Sequence, residues 1–411
     1  MIRAARPAAV LAAGLVLVGI AAPAAVARPA GHGSGAPLPG STAGTEQPGS
    51  NAGVPRPGSA AARLIGGPLM ATRGVVVRQP VDDPRPLPRI PASAWVIANA
   101  STGQVLAAKD PHGEFGPAST LKVLTAITLI PLLNPDGSVV ASSLATSQQP
   151  SSAGLITGRA YRVADLFRAL LLISANDAAV ALTEATGSFA RGLALINAEA
   201  RHLQAYDVVA KLPNGLPAAG QVTSAYDEAL IARQALTIPA FMHYDSTLAA
   251  RFEIRPHHWE TLVNQNTLLT SYRGGIGGKI GWTVSSEATY VGLARRNGVT
   301  LIAAVLHCTP LQEITAAERL LNWGFTMNGK VQPVGTLVPP VIADATVAHQ
   351  RAQPATQVAM SAARPGQPGG APYWLLITGV LVATAGLGAL ATSRRLASTS
   401  ESADGPGGDP S

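Results

Sequence analysis

Residues 95–98 (WVIA) and 104–107 (QVLA) are short apolar runs flanking the turn segment 99–103, the pattern of a β-hairpin. Residues 119–130 (STLKVLTAITLI) are apolar nearly all round, which predicts a buried helix stopped by Pro131. Three helical stretches follow: 163–173 with an apolar-rich face, 177–186 ending before Gly187, and 188–203. Ser224 and Asp227 have the spacing of a capping box and open a helix to about residue 236. Residues 289–294 and 299–307 read as strands around Arg295-Arg296-Asn297-Gly298, whose Asn-Gly is a strong hairpin signal. Strands at both ends with helices between them predict an α+β fold, with one antiparallel sheet built from the two ends of the domain and covered by helices.

Outside this region the patterning changes. Arg3 and Arg6 precede an apolar stretch at 8–22, and Ala25-Val26-Ala27 offers a cleavage site, so residues 1–27 read as a signal peptide. Residues 28–90 are rich in Gly, Pro, Ala and Ser and are expected to form a flexible arm. One folded domain then covers 91–330, and 331–371 reads as a linker. Residues 373–391 carry no charge. As a helix they extend about 28 Å, close to the ~30 Å hydrocarbon core, which assigns 372–392 as a transmembrane helix. Tyr373 and Trp374 suit the outer interface, and Arg394-Arg395 place the tail 393–411 in the cytoplasm. The expected location is therefore the cell membrane, single-pass, with the folded domain on the extracytoplasmic side.

The net charge of +7 is unevenly spread. Lys plus Arg against Asp plus Glu is 9 to 3 over residues 1–90, 17 to 17 over 91–345 and 4 to 3 beyond. A neutral domain offers no basic reading surface, so no nucleic-acid partner is expected. Cys308 is the only cysteine, which excludes an intramolecular disulfide, and its apolar surroundings read as those of a small buried hydrophobe.

The chain has only five lysines, and two of them stand in short motifs: Ser119-Thr120-Leu121-Lys122, Ser174-Ala175-Asn176 and Lys279-Ile280-Gly281. Each motif is common by chance; the ordered set of three is expected roughly 0.02 times in a chain of this composition. In a helix Lys122 lies one turn beyond Ser119 on the same face, within reach of its hydroxyl. A serine needs a base to become a nucleophile, and a lysine serves when burial or a second cation lowers its pKa. Lys279 is the candidate second cation.

With these flanks the three motifs resemble the penicillin-binding serine D-alanyl-D-alanine carboxypeptidases, most similarly the actinobacterial membrane-anchored members. The likeness runs from Trp95 to about Phe325, through WVIANASTGQVLAAKDPHGEFGPASTLK, YRVADLFRALLLISANDAAVAL, SAYDEALIARQAL, GGKIGWT and ERLLNWGF. The resemblance implies the penicillin-binding/β-lactamase-like transpeptidase fold, with peptidoglycan stem peptides as substrate and β-lactams as inhibitors. It implies that Ser119 attacks the carbonyl between two D-alanines, Lys122 takes the proton, Ser174 passes one to the leaving D-alanine and Asn176 binds the substrate amide. Lys279, Gly281 and Trp282 would bind substrate, Lys279 facing the terminal carboxylate and the Trp282 and Ser119 N–H groups facing the oxyanion. The scheme requires no metal and no organic cofactor.

The chain departs from the usual Lys-Thr-Gly at Ile280, which cannot donate to the carboxylate, so turnover is expected to be slow. The alternative is a tethered domain that binds peptidoglycan peptides with negligible turnover. A β-lactamase reading needs a general-base Glu between the second and third motifs. Glu318 follows the third motif and Glu260 lies 19 residues before Lys279, so neither suits that role. There is no G-x-S-x-G, H-E-x-x-H or C-x-x-C, and His257-His258 lack ligand-spaced partners and read as surface residues.

Overall fold

The computed structural model describes residues 59–341. Strands β1 (Val75–Val77), β2 (Ala92–Asn99) and β3 (Gln104–Lys109) come from one end of this stretch. Strands β8 (Gly275–Thr283), β9 (Glu287–Arg296), β10 (Val299–Cys308) and β11 (Gly335–Thr336) come from the other. They form a seven-stranded antiparallel sheet in the order β1-β3-β2-β10-β9-β8, with β11 also on β3. The pairing of β2 with β10 joins the two ends, as the pattern predicts. Two small hairpins, β4 (Ser138–Val140) with β5 (Ala160–Arg162) and β6 (Ala249–Arg255) with β7 (His258–Val263), stand apart.

The sheet is buried on both faces. Ala94, Val96 and Ala98 of β2 join a core shared with the helices, whereas Trp95 and Ile97 join a second core under the C-terminal helix. That is why the strands read as continuous apolar runs rather than as alternation. The helices are α1 (Ala60–Arg63), α2 (Leu121–Leu129), α3 (Ser143–Thr146), α4 (Val163–Leu172), α5 (Asn176–Glu184), α6 (Phe189–His202), α7 (Ala225–Ala235), α8 (Pro239–Asp245), α9 (Leu268–Ser271) and α10 (Glu313–Met327). The first core lies between the sheet and α2, α4, α5 and α7; α10 covers the other face. Gly324 lets α10 approach closely, since a Cβ there would meet Leu301 at 2.9 Å and Ile97 at 3.0 Å.

Local signals act as expected at most termini. Ser188 and Ser224 cap their helices by accepting from the N–H of Arg191 and Asp227. The Asn297-Gly298 turn has both residues at positive φ, 48° and 79°, as its type requires. Two expectations need correction. Asp227 does not complete a capping box: its Oδ2 accepts from Asp207 N and Val208 N instead. The flexible arm read as 28–90 ends earlier, because residues 59–90 contain β1 paired to β3 and the fully buried Met70. Likewise 331–341 does not start a linker: β11 pairs with β3, and Val334 and Leu337 are buried. The free edge of β3 needs these partners.

Among the described residues no helix is long and apolar enough to cross a membrane. The segments assigned as signal peptide and transmembrane helix lie outside the described residues. Cys308 is fully buried, with its thiol pushed up to about 12 by that burial, and His257 and His258 are exposed, as expected.

Candidate active site

Ser119 is not in the first turn of an α-helix as its pattern suggests. It sits in a 3-10 turn, Ala118–Thr120, and α2 begins only at Leu121. Ala118 adopts φ 47°, so the chain enters the turn in a strained conformation of the kind that collects at functional sites. Close contacts hold it there. A Cβ on Gly215 would lie 1.7 Å from the Ala118 carbonyl oxygen, and Pro117 O accepts from the hydroxyls of Thr120 (2.7 Å) and Thr289 (2.9 Å).

Lys122 is fully buried one turn on, and its Nζ has three partners: Ser119 Oγ at 2.8 Å, Asn176 Oδ1 at 2.7 Å and Asn214 O at 2.6 Å. The Asn176 amide is oriented by its Nδ2, which donates to Gln149 O at 2.8 Å, so Oδ1 faces the lysine as an acceptor. All three partners accept from Nζ, a set that an ammonium fills with three N–H groups and that a neutral amine fills with two while it accepts from the Ser119 hydroxyl. The electrostatics favour the neutral amine. Burial first, and then the charge of Lys279, hold Lys122 well below the usual lysine range, while Asp177 opposes them.

The second motif lies between α4 and α5. Ser174 adopts φ 62°, and its buried Oγ has no hydrogen-bond partner. Asn176 opens α5, and next to it Asp177 accepts from Ala153 N, Leu155 N and Ala178 N, which ties the segment at 153–155 to the start of α5.

The third motif lies on β8, the edge strand. Lys279, Gly281 and Thr283 face one way and are buried, while Trp282 on the other face is 58% exposed. Lys279 Nζ donates to Ile280 O, and burial lowers its pKa to about 8 against the pull of Asp245. Gly278 bonds away from β9 through both backbone groups: its N–H to Asp245 Oδ2 and its carbonyl to Asn266 Nδ2. By strand alternation the N–H of Trp282, four residues on, points to the same free edge. Ile280 is half-buried and packs against the core on the α10 side, which gives a packing reason for an apolar residue there.

The fold therefore gathers Ser119, Lys122 and Asn176 by hydrogen bonds, brings Gly281 against the Ser119 turn, and couples Lys279 to Lys122 electrostatically. The Ser174 hydroxyl is buried without a hydrogen-bond partner, and the Trp282 side chain is turned out to solvent. Sequence reasoning missed Asn214 and Asp245. Asn214-Gly215 follows a proline in a turn-like LPNG stretch, whose signal is a turn and not chemistry. Asp245 ends α8 with no motif around it.

A family description for D-alanyl-D-alanine carboxypeptidase, peptidase S11, matches residues 80–309. The chain is 35% identical over 258 residues to D-alanyl-D-alanine carboxypeptidase DacB2 of Mycobacterium tuberculosis, covering 61% of this chain and 88% of that protein. It is 26% identical to DacF of Bacillus subtilis over 57% of this chain and 62% of that one. The solved M. tuberculosis D-alanyl-D-alanine carboxypeptidase superposes with a TM-score of 0.60 at 35% identity, covering 63% of this chain and 99% of the other. The Streptomyces K15 DD-transpeptidase superposes at 0.56 and 28% identity, covering 59% and 100%. A transpeptidase-type α+β fold with the Ser119–Lys122 pair at its centre, matched over more than half its length, makes this chain a member of the peptidase S11 D-alanyl-D-alanine carboxypeptidase family.

Proposed function

We propose that this protein is a serine D-alanyl-D-alanine carboxypeptidase that removes the terminal D-alanine of peptidoglycan stem pentapeptides through an acyl-enzyme on Ser119. The observation that carries the reading is the fully buried Lys122 amine 2.8 Å from Ser119 Oγ, which burial and then the charge of Lys279 hold well below the usual lysine range. Lys122 takes the Ser119 proton as Oγ attacks the penultimate carbonyl. The Ser119 and Trp282 N–H groups take the oxyanion. The unpartnered Ser174 hydroxyl is free to relay a proton to the leaving amine, and Lys279 supplies positive potential for the terminal carboxylate. Asn176 holds Lys122 through Oδ1 and spends one Nδ2 N–H on Gln149 O, which leaves its second N–H to donate to the substrate amide. Water then releases the acyl group. β-Lactams would acylate the same serine.

The apolar block at 372–392 with Arg394-Arg395 behind it, and the leader at 1–27, support an exported domain anchored by its C-terminus. Protease added to wall-stripped cells should digest the domain and spare a short C-terminal fragment; protection of the whole domain would reverse the orientation. The test of the chemistry is to incubate the protein with a labelled penicillin and, separately, with a D-Ala-D-Ala pentapeptide. A covalent adduct on Ser119 and released D-alanine are expected, and both are lost in Ser119→Ala. An adduct on another residue refutes the assignment.

A further inference from the structure

Glu228, in the first turn of α7, is 1% exposed, and neither of its carboxyl oxygens has a hydrogen-bond partner of ordinary geometry. The hydroxyls of Thr120 and Thr223 lie beside it; burial pushes its pKa up to about 7, and those hydroxyls oppose the shift only in part. Thr120 directly follows Ser119. Thr223 is paired through its backbone to Phe115 on the other flank of the same turn, with N–O distances of 2.8 and 2.9 Å. Glu228 thus stands beside both the residue that follows Ser119 and the segment bridged to the chain that leads into the Ser119 turn.

The charged groups around it give it no compensation. Asp227, its neighbour on α7, has two backbone N–H donors, from Asp207 and Val208. Burial and Asp207 raise Asp227 as well, and these donors work against that. Asp207 Oδ2 lies 2.6 Å from His112 Nδ1, and His112 Nε2 donates to Ile65 O at 3.0 Å. On α2, Lys122 turns its amine to Ser119, Asn176 and Asn214. Among Asp207, Asp227 and Glu228, Glu228 alone has neither a histidine nor an N–H donor, so a charge is least tolerable there. The hydroxyl inventory points the same way. Thr120 commits its single proton to Pro117 O at 2.7 Å, which leaves its oxygen as an acceptor, and Thr223 Oγ1 has a proton and no partner.

We infer that Glu228 is a neutral carboxylic acid and a positioning residue of the nucleophile turn: it donates its proton to Thr120 Oγ1 and accepts from Thr223 Oγ1. Loss of that proton sets a carboxylate against the Thr120 lone pairs and loosens the turn under Ser119. The catalytic consequence rests on Ser119 being the nucleophile; the protonation does not.

Two measurements on the full chain test this. The first is the thermal midpoint of Ser119→Ala between pH 5 and 8, with and without Glu228→Gln, which keeps a donor and an acceptor and cannot ionise. A carboxyl raised from 4.5 to about 7 makes the folded state bind more protons, so its contribution to stability falls as pH rises through that window. The fall should be smaller with Gln; Asp245, raised to about 7, titrates in the same range but is common to both proteins. An identical pH slope overturns the assignment of the proton. The second is the rate of acylation by penicillin at pH 6 and pH 8. At pH 6, Glu228→Gln is expected to stay within about threefold of wild type, and Glu228→Met, which lacks the donor, to lose about tenfold or more. Between pH 6 and 8 the Gln variant should keep more of its rate than wild type does. Equal rates for Gln and Met overturn the positioning role. If the Met variant does not fold, a Gln profile identical to wild type at both pH values overturns it instead. Absence of any acylation in wild type refutes the reading of Ser119 and leaves the thermal result standing.

Discussion

Gly281 stands where a side-chain carbon would lie 2.6 Å from the amide nitrogen of Ser119, so β8 meets the Ser119 turn at backbone contact. The same carbon would lie 3.0 Å from Thr120 N and 2.3 Å from Thr289 Oγ1. Nothing larger than hydrogen fits without moving the strand. This close approach sets the spacing between the Ser119 N–H and the free edge of β8, from which the Trp282 N–H projects.

Gly281→Ala is therefore expected to push apart the Ser119 and Trp282 N–H groups, the two oxyanion donors of the proposed mechanism. Loss of one such donor lowers rates by about 10² to 10³. Acylation by penicillin should fall by that order while the far-UV spectrum stays native. A variant that acylates normally would mean that the turn and strand adjust independently.

Lys279 tunes Lys122 through its charge. In Lys279→Met that repulsion is gone, so the Lys122 pKa rises and the ascending limb of the acylation–pH profile moves to higher pH. In wild type, the cation at 279 is lost as pH rises through about 8. Turnover of peptides with a terminal carboxylate should then decline above that pH, and ester substrates without the carboxylate should be spared. Equal alkaline limbs for both substrate types would remove Lys279 from carboxylate binding.

Asp245 holds Gly278 N–H at 2.7 Å and also acts on Lys279. Burial raises its carboxyl from 3.8 to about 7. The folded state thus binds more protons than the unfolded one, and stability falls between about pH 4 and 7 by an amount on the order of a few kcal/mol. Asp245→Asn keeps an acceptor for Gly278 and should flatten that decline in a thermal-shift series. It should also raise KM for the pentapeptide more than it lowers kcat, because Lys279 loses the charge that favours its protonation.

Ile280→Thr restores a donor beside the expected carboxylate position. A hydrogen bond to a charged group contributes about 1.5 to 3 kcal/mol, so kcat/KM for the pentapeptide should rise about tenfold or more. Loss of apolar packing against the α10-side core should lower stability by about 1 kcal/mol. Unchanged turnover in a folded variant would show that packing alone accounts for Ile280.

Much of the machinery was legible in the residues themselves because it is local. The three-residue spacing of Ser119 and Lys122, the apolar run of α2, the Ser188 and Ser224 caps and the Asn297-Gly298 turn all act over one or two turns of chain. Apolar strands at both ends of the domain likewise implied a sheet closed by long-range pairing, which β2 and β10 form. The tertiary structure decided what depends on groups far apart in sequence. Asn214 reaches Lys122 across 92 positions, Asp245 reaches Gly278 across 33, and Thr289 reaches Pro117 across 172. None of these contacts leaves a periodic trace, because a carbonyl acceptor or a lone buried carboxyl is recruited by packing and not by pattern. The arm boundary was misplaced for the same reason: β1 is only three residues long and is ordered by the edge of β3 rather than by its own composition. The pKa values of Lys122, Lys279 and Glu228 belong to this second class, since burial and neighbours set them only once the chain has closed around the site.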